Sequence, residues 1–202
     1  MGKVQGVKEK LHFQLYDAFF VPKDPPRNTF GAAMTDPRMI RFFVDVQNKT
    51  KLETNLQAAG VLPSLNTFEA RAMRVVMSSI RRARLAEEAL GEAEIVAELI
   101  YNSVTTLLVG EKTMIEAPTF YFPSGAGVSP GVPTVSNHGE PDPMATFRFA
   151  EPVTIEPQQN FRVEMLFPQG LPGNGATAGL ANVPGPLRIW VVLDGYLTRD
   201  VQ

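Results

Sequence analysis

Apolar residues occupy every second position over two stretches near the end of the chain, residues 161–167 and 187–193. Shorter stretches with the same alternation lie at 147–149 and 153–155. Successive side chains of a β-strand point to opposite faces, so a period of two predicts strands with one buried face and one wetter face. The last third of the chain is therefore predicted to form antiparallel sheet.

The first part of the chain contains two more stretches of this kind. Residues 12–21 place Phe13 and Leu15 on one face and polar side chains on the other, and a proline-rich connection over 24–37 follows. Alternation then resumes over 40–46. We expect the apolar faces of the clearest strands to form the core. The residues predicted to lie in this core are Phe42, Val44, Phe161, Val163, Ile189 and Val191.

Residues 67–78 fit two different patterns. Their apolar residues form a helical stripe that a capping-box pattern at Asn66 precedes, whereas the β-branched pair Val75-Val76 is typical of a strand. We favour the strand and keep the helix as an alternative. Residues 85–101 are predicted to be a helix, because small and apolar residues share one face and glutamates occupy the other.

Beyond this helix the spacing becomes extended again. Short strands are predicted at 105–109, 113–115 and 119–122, where glycine and proline separate them. The stretches 123–143 and 170–186 are rich in Gly and Pro and are predicted to be loops. Both are too long for simple hairpin turns, and ordered loops of this length are often interaction surfaces.

A chain of 202 residues fits one domain. We therefore predict a single β-sandwich domain over 1–202, with residues 1–10 as an N-terminal arm. The fold class expected from the pattern alone is mainly β, as a two-sheet antiparallel sandwich with one helical insertion near 85–101.

The charge and the cysteine content of the chain argue against several classes of function. The net charge of −2 and the pI of about 5.8 provide no electrostatic reason for strong binding to nucleic acid or to an anionic membrane. The absence of cysteine excludes disulfides and thiolate metal sites. We expect no signal peptide and no transmembrane segment, because no stretch reaches the roughly 20 apolar residues that a span requires. The sequence leaves membrane contact open.

Few residues suggest catalysis or metal binding. His12 and His138 lack the spacing of a metal site, and two histidines leave little room for a Ser-His-Asp triad. Residues 124–127 are glycine-rich but lack the lysine of a phosphate loop, so we interpret them as a turn. Glu140 and Asp142 could bind a hard cation, but solvated loop charges are the simpler interpretation. The sequence thus predicts no catalytic residue, cofactor-binding residue or metal ligand.

Four residues are candidates for interactions. Arg81, Arg82 and Arg84 form a basic cluster that could contact nucleic acid or an acidic neighbour, but the five glutamates that follow favour ion pairs and protein contacts. Trp190 lies on a predicted strand. Its side chain either packs on the sheet, which is the simpler interpretation, or stacks on a sugar.

Three segments resemble structural proteins of bacterial viruses: residues 102–127, 152–167 and 192–199. Together they look like the later strands of a single jelly-roll capsid protein or a related virion protein. The resemblance implies a jelly-roll-like sandwich of two facing sheets, whose subunits tile a shell through loops and termini. The charged helical stretch near 85–101 departs from a minimal jelly roll.

The resemblance implies a virion shell subunit that is not an enzyme, is made in the host cytoplasm and is located in the virion. Its expected partners are other copies of itself and a second virion protein, with no specific nucleic acid. Two alternatives stay open. One is a carbohydrate-binding or host-attachment module in which Trp190, Tyr121 and Tyr196 are stacking platforms. The other is a hydrolase that uses paired carboxylates in a cleft.

Overall fold

A computed structural model describes residues 7–21, 38–79, 99–127, 140–141, 144–168 and 187–200. These residues contain ten strands, a 3-10 helix (Thr119–Tyr121) and, at 99–101, the end of an α-helix. The strands are β1 (Lys8–Val21), β2 (Arg38–Phe42), β3 (Thr67–Ser79), β4 (Val104–Val109), β5 (Lys112–Pro118), β6 (Ala126–Gly127), β7 (Glu140–Pro141), β8 (Phe147–Ile155), β9 (Phe161–Phe167) and β10 (Leu187–Asp200).

Eight of these strands form two antiparallel four-stranded sheets. Sheet A has the order β1-β10-β3-β8, and sheet B has the order β2-β9-β4-β5. The strands pair as in one long hairpin, since β1 pairs with β10, β2 with β9, β3 with β8, and β4 with β5. Two further pairings, β10 with β3 and β4 with β9, complete the two sheets. This strand order is the jelly roll, and it confirms the predicted fold class.

The two ends of the sandwich differ in the connections they carry. Residues 156–160 join Ile155 of sheet A to Phe161 of sheet B, so the five-residue connection holds these two strand ends at one end of the sandwich. At the opposite end, which we call the far end, three stretches outside the described residues are attached to the strands. They are 22–37, 80–98 and 169–186, which include the loops predicted at 24–37 and 170–186.

The core lies between the two sheets and is built from the alternating positions of their strands. Five of the six residues predicted for it are buried, namely Phe42, Phe161, Val163, Ile189 and Val191. The largest fully buried side chains are Phe42, Phe43, Phe68, Phe122, Phe161, Phe167, Ile40, Met73, Leu99, Leu107, Ile155 and Met165. Fully burying one such side chain contributes about 1.5–3 kcal/mol.

The sixth predicted core residue, Val44, is 41% exposed, so its assignment was wrong. The strand predicted over 40–46 ends at Phe42, because Phe43 has a φ of 69° in the left-handed region. This backbone turn breaks the period of two. Phe43 therefore packs into the core against Phe161, with ring centroids 5.2 Å apart, and Val44 faces solvent.

Other local predictions have mixed outcomes. Residues 67–78 form β3, which confirms the strand and contradicts the alternative helix. Residues 119–122 were predicted as a strand but contain the 3-10 helix, in which the Phe122 N–H donates to the Thr119 carbonyl at 2.9 Å. Residues 8–10, placed in the N-terminal arm by the sequence, belong to β1. The predicted loop 123–143 includes the short pair β6–β7, and the helix predicted over 85–101 is described only at 99–101.

Residues 48–56 cover the middle of the free edge of β1, at residues 14–17. The Asn55 side chain accepts a hydrogen bond from the Tyr16 N–H at 3.1 Å and donates one to the Gln14 carbonyl at 2.6 Å. Unpaired strand edges promote aggregation, so this cover protects sheet A on that side. The segment also brings Lys49 to Asp17, whose carboxylate is fully buried. Lys49 Nζ donates to both carboxylate oxygens of Asp17, at 2.9 Å each.

Burial raises the pKa of the Asp17 carboxyl above its ordinary value, against opposing hydrogen bonds from Lys49 and from the Phe43 N–H. The Phe43 N–H donates to Asp17 at 2.7 Å. The buried carboxylate thus links β1 to the residue that follows β2.

Candidate functional site

Three aromatic side chains form an exposed group that follows sheet B at the far end. Tyr101, Phe120 and Tyr121 are 71%, 47% and 53% exposed. The ring centroids of Tyr101 and Phe120 are 5.9 Å apart, and those of Phe120 and Tyr121 are 5.0 Å apart. We call these three residues the aromatic cluster. It leaves roughly 300–400 Å² of aromatic surface in contact with solvent, which is within the range of functional surface patches.

Buried hydroxyl groups hold the aromatic cluster in place. The Ser103 hydroxyl lies 2.6 Å from the carbonyl oxygen of Leu99 and 2.6 Å from the hydroxyl oxygen of Thr119. The Thr119 hydroxyl lies 2.8 Å from that of Thr105, and all three hydroxyl residues are buried. Because buried polar groups are stable only when they are hydrogen-bonded, this network fixes the end of the helix, β4 and the 3-10 helix relative to one another.

Phe122 anchors the other side of the aromatic cluster. Its ring is buried and packs edge-on against Phe147 of β8, with centroids 5.2 Å apart. Its carbonyl oxygen accepts a hydrogen bond from the Val75 N–H of β3 at 3.2 Å. The 3-10 helix therefore connects sheet B to sheet A, and the two exposed aromatic residues lie between buried neighbours.

An apolar row on the outer face of sheet B leads to the aromatic cluster. Met39, Leu166, Val104 and Pro118 are register partners from one strand to the next across all four strands. Their neighbours along β9 and β4 point into the core, so these four side chains lie on the opposite, outer face. Strands are spaced by about 4.8 Å, which makes the row about 14 Å long.

The apolar row and the aromatic cluster adjoin along the chain, and we call them together the apolar surface. Pro118, the last residue of the row, directly precedes the 3-10 helix. Met39, in the row itself, is one of the exposed large apolar side chains of sheet B. The apolar surface lies at the far end of the sandwich, since it uses the first residues of β2 and β4 and the last residues of β9 and β5.

A charged row lies next to the apolar row, one step of two residues along the strands. Arg41, Glu164, Thr106 and Glu116 are the register partners. Glu164 binds Arg162 at 2.8 Å and Arg41 at 3.5 Å. The hydrogen bond with Glu164 raises the pKa of Arg162 above its ordinary value. An apolar centre with charges beside it is the usual anatomy of a protein interface.

An open depression of about 460 Å³ adjoins the charged row. It is lined by Arg41, Val44, Ala59, Gly60, Asn160 and Arg162. The carboxylate of Glu164 contacts both guanidinium groups of the depression and balances one of their charges. The depression is therefore polar without a strong preference for anions.

Trp190 lies on the outer face of sheet A and is half-buried. Its Nε1–H donates a hydrogen bond to the Leu52 carbonyl at 3.1 Å, and the Arg188 guanidinium lies 6.0 Å from its ring centroid. The indole thus secures the segment that covers β1. The hydrogen bond uses the indole N–H, whereas stacking on a sugar would use a face of the ring.

Tyr196 has a similar position on sheet A. Lys10 Nζ lies 4.8 Å and the Arg71 guanidinium 5.1 Å from its ring centroid, and the ring of His12 lies 5.9 Å away. Trp190 and Tyr196 are on β10, whereas Tyr121 belongs to the aromatic cluster. The structure brings Tyr121 together with Phe120 and Tyr101, which the sequence reasoning did not select.

The other sequence candidates are described in part. Arg81, Arg82 and Arg84 lie outside the described residues, as do His138 and Asp142. His12 is exposed, and its Nε2 lies 2.9 Å from Asp194 Oδ1. Within the described stretches, no group of three or more His, Asp or Glu side chains could hold a metal ion.

One signal for the aromatic cluster was present in the sequence. Phe120, Tyr121 and Phe122 are consecutive, and neither a strand nor a helix can turn three consecutive side chains towards one core. The triplet therefore favours at least one ring that points away from this core. The contact with Tyr101 depends on the hydroxyl network, which no spacing rule reveals.

Comparison with protein-family models, with curated proteins and with solved structures finds no significant match. The assignment of the jelly roll therefore rests on the strand order. In the part of the chain that the structure describes, no helix has both the length and the apolar character needed to cross a membrane.

Proposed function

We propose that the chain is a structural protein of a virion, a shell subunit that assembles with other copies of itself. The observation that carries the proposal is the strand order, β1-β10-β3-β8 facing β2-β9-β4-β5. Viral capsid domains use this jelly roll, as do lectins and cupins, so the strand order is compatible with a shell subunit and the exposed surfaces must distinguish among these classes.

The apolar surface supports assembly among these classes. A free monomer gains nothing from three exposed aromatic rings, whereas tyrosine and phenylalanine at a rigid position are typical of the residues that dominate protein interfaces. Because the hydroxyl network already fixes the helix end and the 3-10 helix, little ordering entropy is lost when a partner covers the aromatic cluster.

A carbohydrate-binding or host-attachment module is the second candidate, and the aromatic cluster is the specific observation in its favour. Adjacent aromatic rings can stack on the faces of sugar rings. In this alternative the aromatic cluster binds a glycan, and the apolar row of sheet B has no role. The two functions therefore make different predictions for Met39 and Leu166, which lie away from the aromatic cluster.

Sedimentation velocity of the purified chain, combined with a glycan-binding assay, tests the proposal. We expect association that increases with protein concentration, and we expect the double substitution Phe120→Ser with Tyr121→Ser to weaken it. Substitution of Leu166 by Ser should weaken association as well. A monomer that binds glycans, and that loses this binding only in the aromatic double variant, would support the attachment module instead.

A further inference from the structure

The charged row on sheet B has opposite charges at its two ends. Arg41 lies on the edge strand β2 and Glu116 on the edge strand β5, with Glu164 and Thr106 between them. Three strand spacings separate the ends, so the two charges are about 14 Å apart across the sheet. The apolar row lies parallel to this charged row and nearer the far end of the sandwich.

Both terminal charges are accessible. The Arg41 side chain is 57% exposed, and its Nε lies 3.5 Å from a Glu164 oxygen that also binds Arg162 at 2.8 Å. Glu116 is exposed, and its carboxylate lies 3.5 Å from the Thr106 hydroxyl. A guanidinium carries five N–H donors, so the long contact with Glu164 leaves Arg41 able to bind a second carboxylate.

We propose that the outer face of sheet B binds a second copy of the chain through a two-fold contact, with the axis parallel to the strands. Two copies that meet face to face have their two-fold axis in the plane between them. An axis along the strands places the edge strand β2 of each copy opposite β5 of the other copy. It also places the charged row opposite the partner's charged row and the apolar row opposite the partner's apolar row. Arg41 then faces Glu116 of the partner subunit, and the two apolar rows cover each other.

The charge pattern selects this axis over the perpendicular one. An axis that runs over the charged row would place Arg41 opposite Arg41 of the partner subunit, and like charges facing each other oppose association. An axis that runs over the apolar row would pair the two apolar rows but would leave the charged rows with no charged row opposite them. With the axis along the strands, the aromatic cluster, which follows Pro118 at the β5 edge, faces the β2 edge of the partner, where Met39 is 39% exposed. Sulfur–aromatic contacts of this kind are favourable.

The surface is large enough for such a contact. The two rows across four strands, together with the aromatic cluster, provide roughly 600–800 Å² on each copy. A standard interface buries about 800 Å² per partner. The inference rests on the proposed function, because a shell subunit needs contacts between copies, and it specifies one of those contacts.

Charge reversal and charge exchange test the contact in the full chain. The variants are Glu116→Arg, Arg41→Glu and the double variant that carries both. Sedimentation measures the dissociation constant of the dimer at concentrations below those at which larger species form. We expect each single reversal to raise this constant by about tenfold or more, and the double variant to return it to within about threefold of the original, because it restores opposite charges across the contact. Glu151→Arg, at an exposed position of the edge strand β8 in sheet A, is the matched control and should change little.

Circular dichroism checks that each variant is folded, and Glu116→Arg alone keeps the test decisive if Arg41→Glu disturbs the pair with Glu164. Dimerisation that is unchanged in Glu116→Arg, or a double variant no better than the single variants, would overturn the two-fold contact. If the two-fold contact fails this test while the chain still forms large assemblies, only the contact is wrong and the shell proposal stands. A chain that stays monomeric at every concentration would contradict both.

Discussion

The hydroxyl of Ser103, which precedes β4, forms a 2.6 Å hydrogen bond with the hydroxyl of Thr119, which begins the 3-10 helix after β5. The Thr119 N–H also donates to the Ser103 carbonyl at 2.9 Å. This double link is buried beneath the exposed Phe120 and Tyr121. The geometry of the aromatic cluster therefore depends on side chains that no partner would contact.

Thr119→Val should destabilise the chain. The substitution keeps the shape of the side chain but leaves the buried Thr105 hydroxyl without the partner at 2.8 Å, so we expect a loss of about 1–3 kcal/mol in the free energy of unfolding. Thr106→Val is the matched control, since Thr106 is half-buried and its hydroxyl lies 3.5 Å from Glu116. Urea unfolding measures both variants. Equal losses in the two would show that the network does not hold the 3-10 helix.

Gly195 is required by a close approach of β10 to β3. A Cβ at this position would lie 2.0 Å from the carbonyl oxygen of Glu69, at a point where the register of the two strands shifts. Because backbone atoms cannot move aside, Gly195→Ala should lower the free energy of unfolding by about 1–3 kcal/mol or more.

Gly110 provides the comparison for Gly195. Its φ is +59°, and a Cβ there would meet nothing within 4 Å, so only its backbone conformation favours glycine. Asparagine tolerates this conformation, and Gly110→Asn should therefore stay within about 0.5 kcal/mol of the original in the same urea experiment. A Gly195→Ala chain as stable as Gly110→Asn would mean that the strands separate without cost.

Asp17 predicts a dependence of stability on pH. Burial raises the pKa of this carboxyl in the folded chain above its ordinary value of 3.8, so the folded state binds the proton more tightly than the unfolded state. The stability that this group contributes is fully present below pH 3.8 and is lost as the pH rises through the folded pKa. Relative to Asp17→Asn, the original chain should therefore lose stability as the pH rises above 3.8.

Glu53 supplies a control of opposite sign. Hydrogen bonds from Thr50 lower the pKa of Glu53, so its contribution is present above its ordinary 4.5 and is lost as the pH falls. Urea unfolding from pH 3.5 to 7 measures the free energy of unfolding of the original chain, of Asp17→Asn and of Glu53→Gln. The difference between the original chain and each variant should change with pH in opposite directions for the two variants. Slopes of the same sign would contradict the role assigned to the burial of Asp17.

The sheet content was predictable because alternation is a local property. Residues 161–167 and 187–193 show it without interruption, and both lie in strands whose alternate residues are buried. Val44 was misplaced because one residue, Phe43, leaves the extended backbone, and its identity carries no sign of a positive φ.

The strand order and the apolar surface depend on pairings between distant residues. His12, for example, is the register partner of Tyr196, and Met39 that of Leu166. A single sequence specifies which faces are apolar but does not specify which strands become neighbours. For the same reason, the four residues of the apolar row could not be recognised as one surface before the register was available.

Electron microscopy of the purified full chain, at concentrations where sedimentation shows association, tests the shell proposal most directly. We expect closed particles or regular multimers of uniform size, and we expect them to be absent or irregular when Phe120 and Tyr121 are both replaced by serine while the circular dichroism spectrum stays unchanged. Monomers in every field, with no larger species at any concentration or ionic strength, would contradict the proposal.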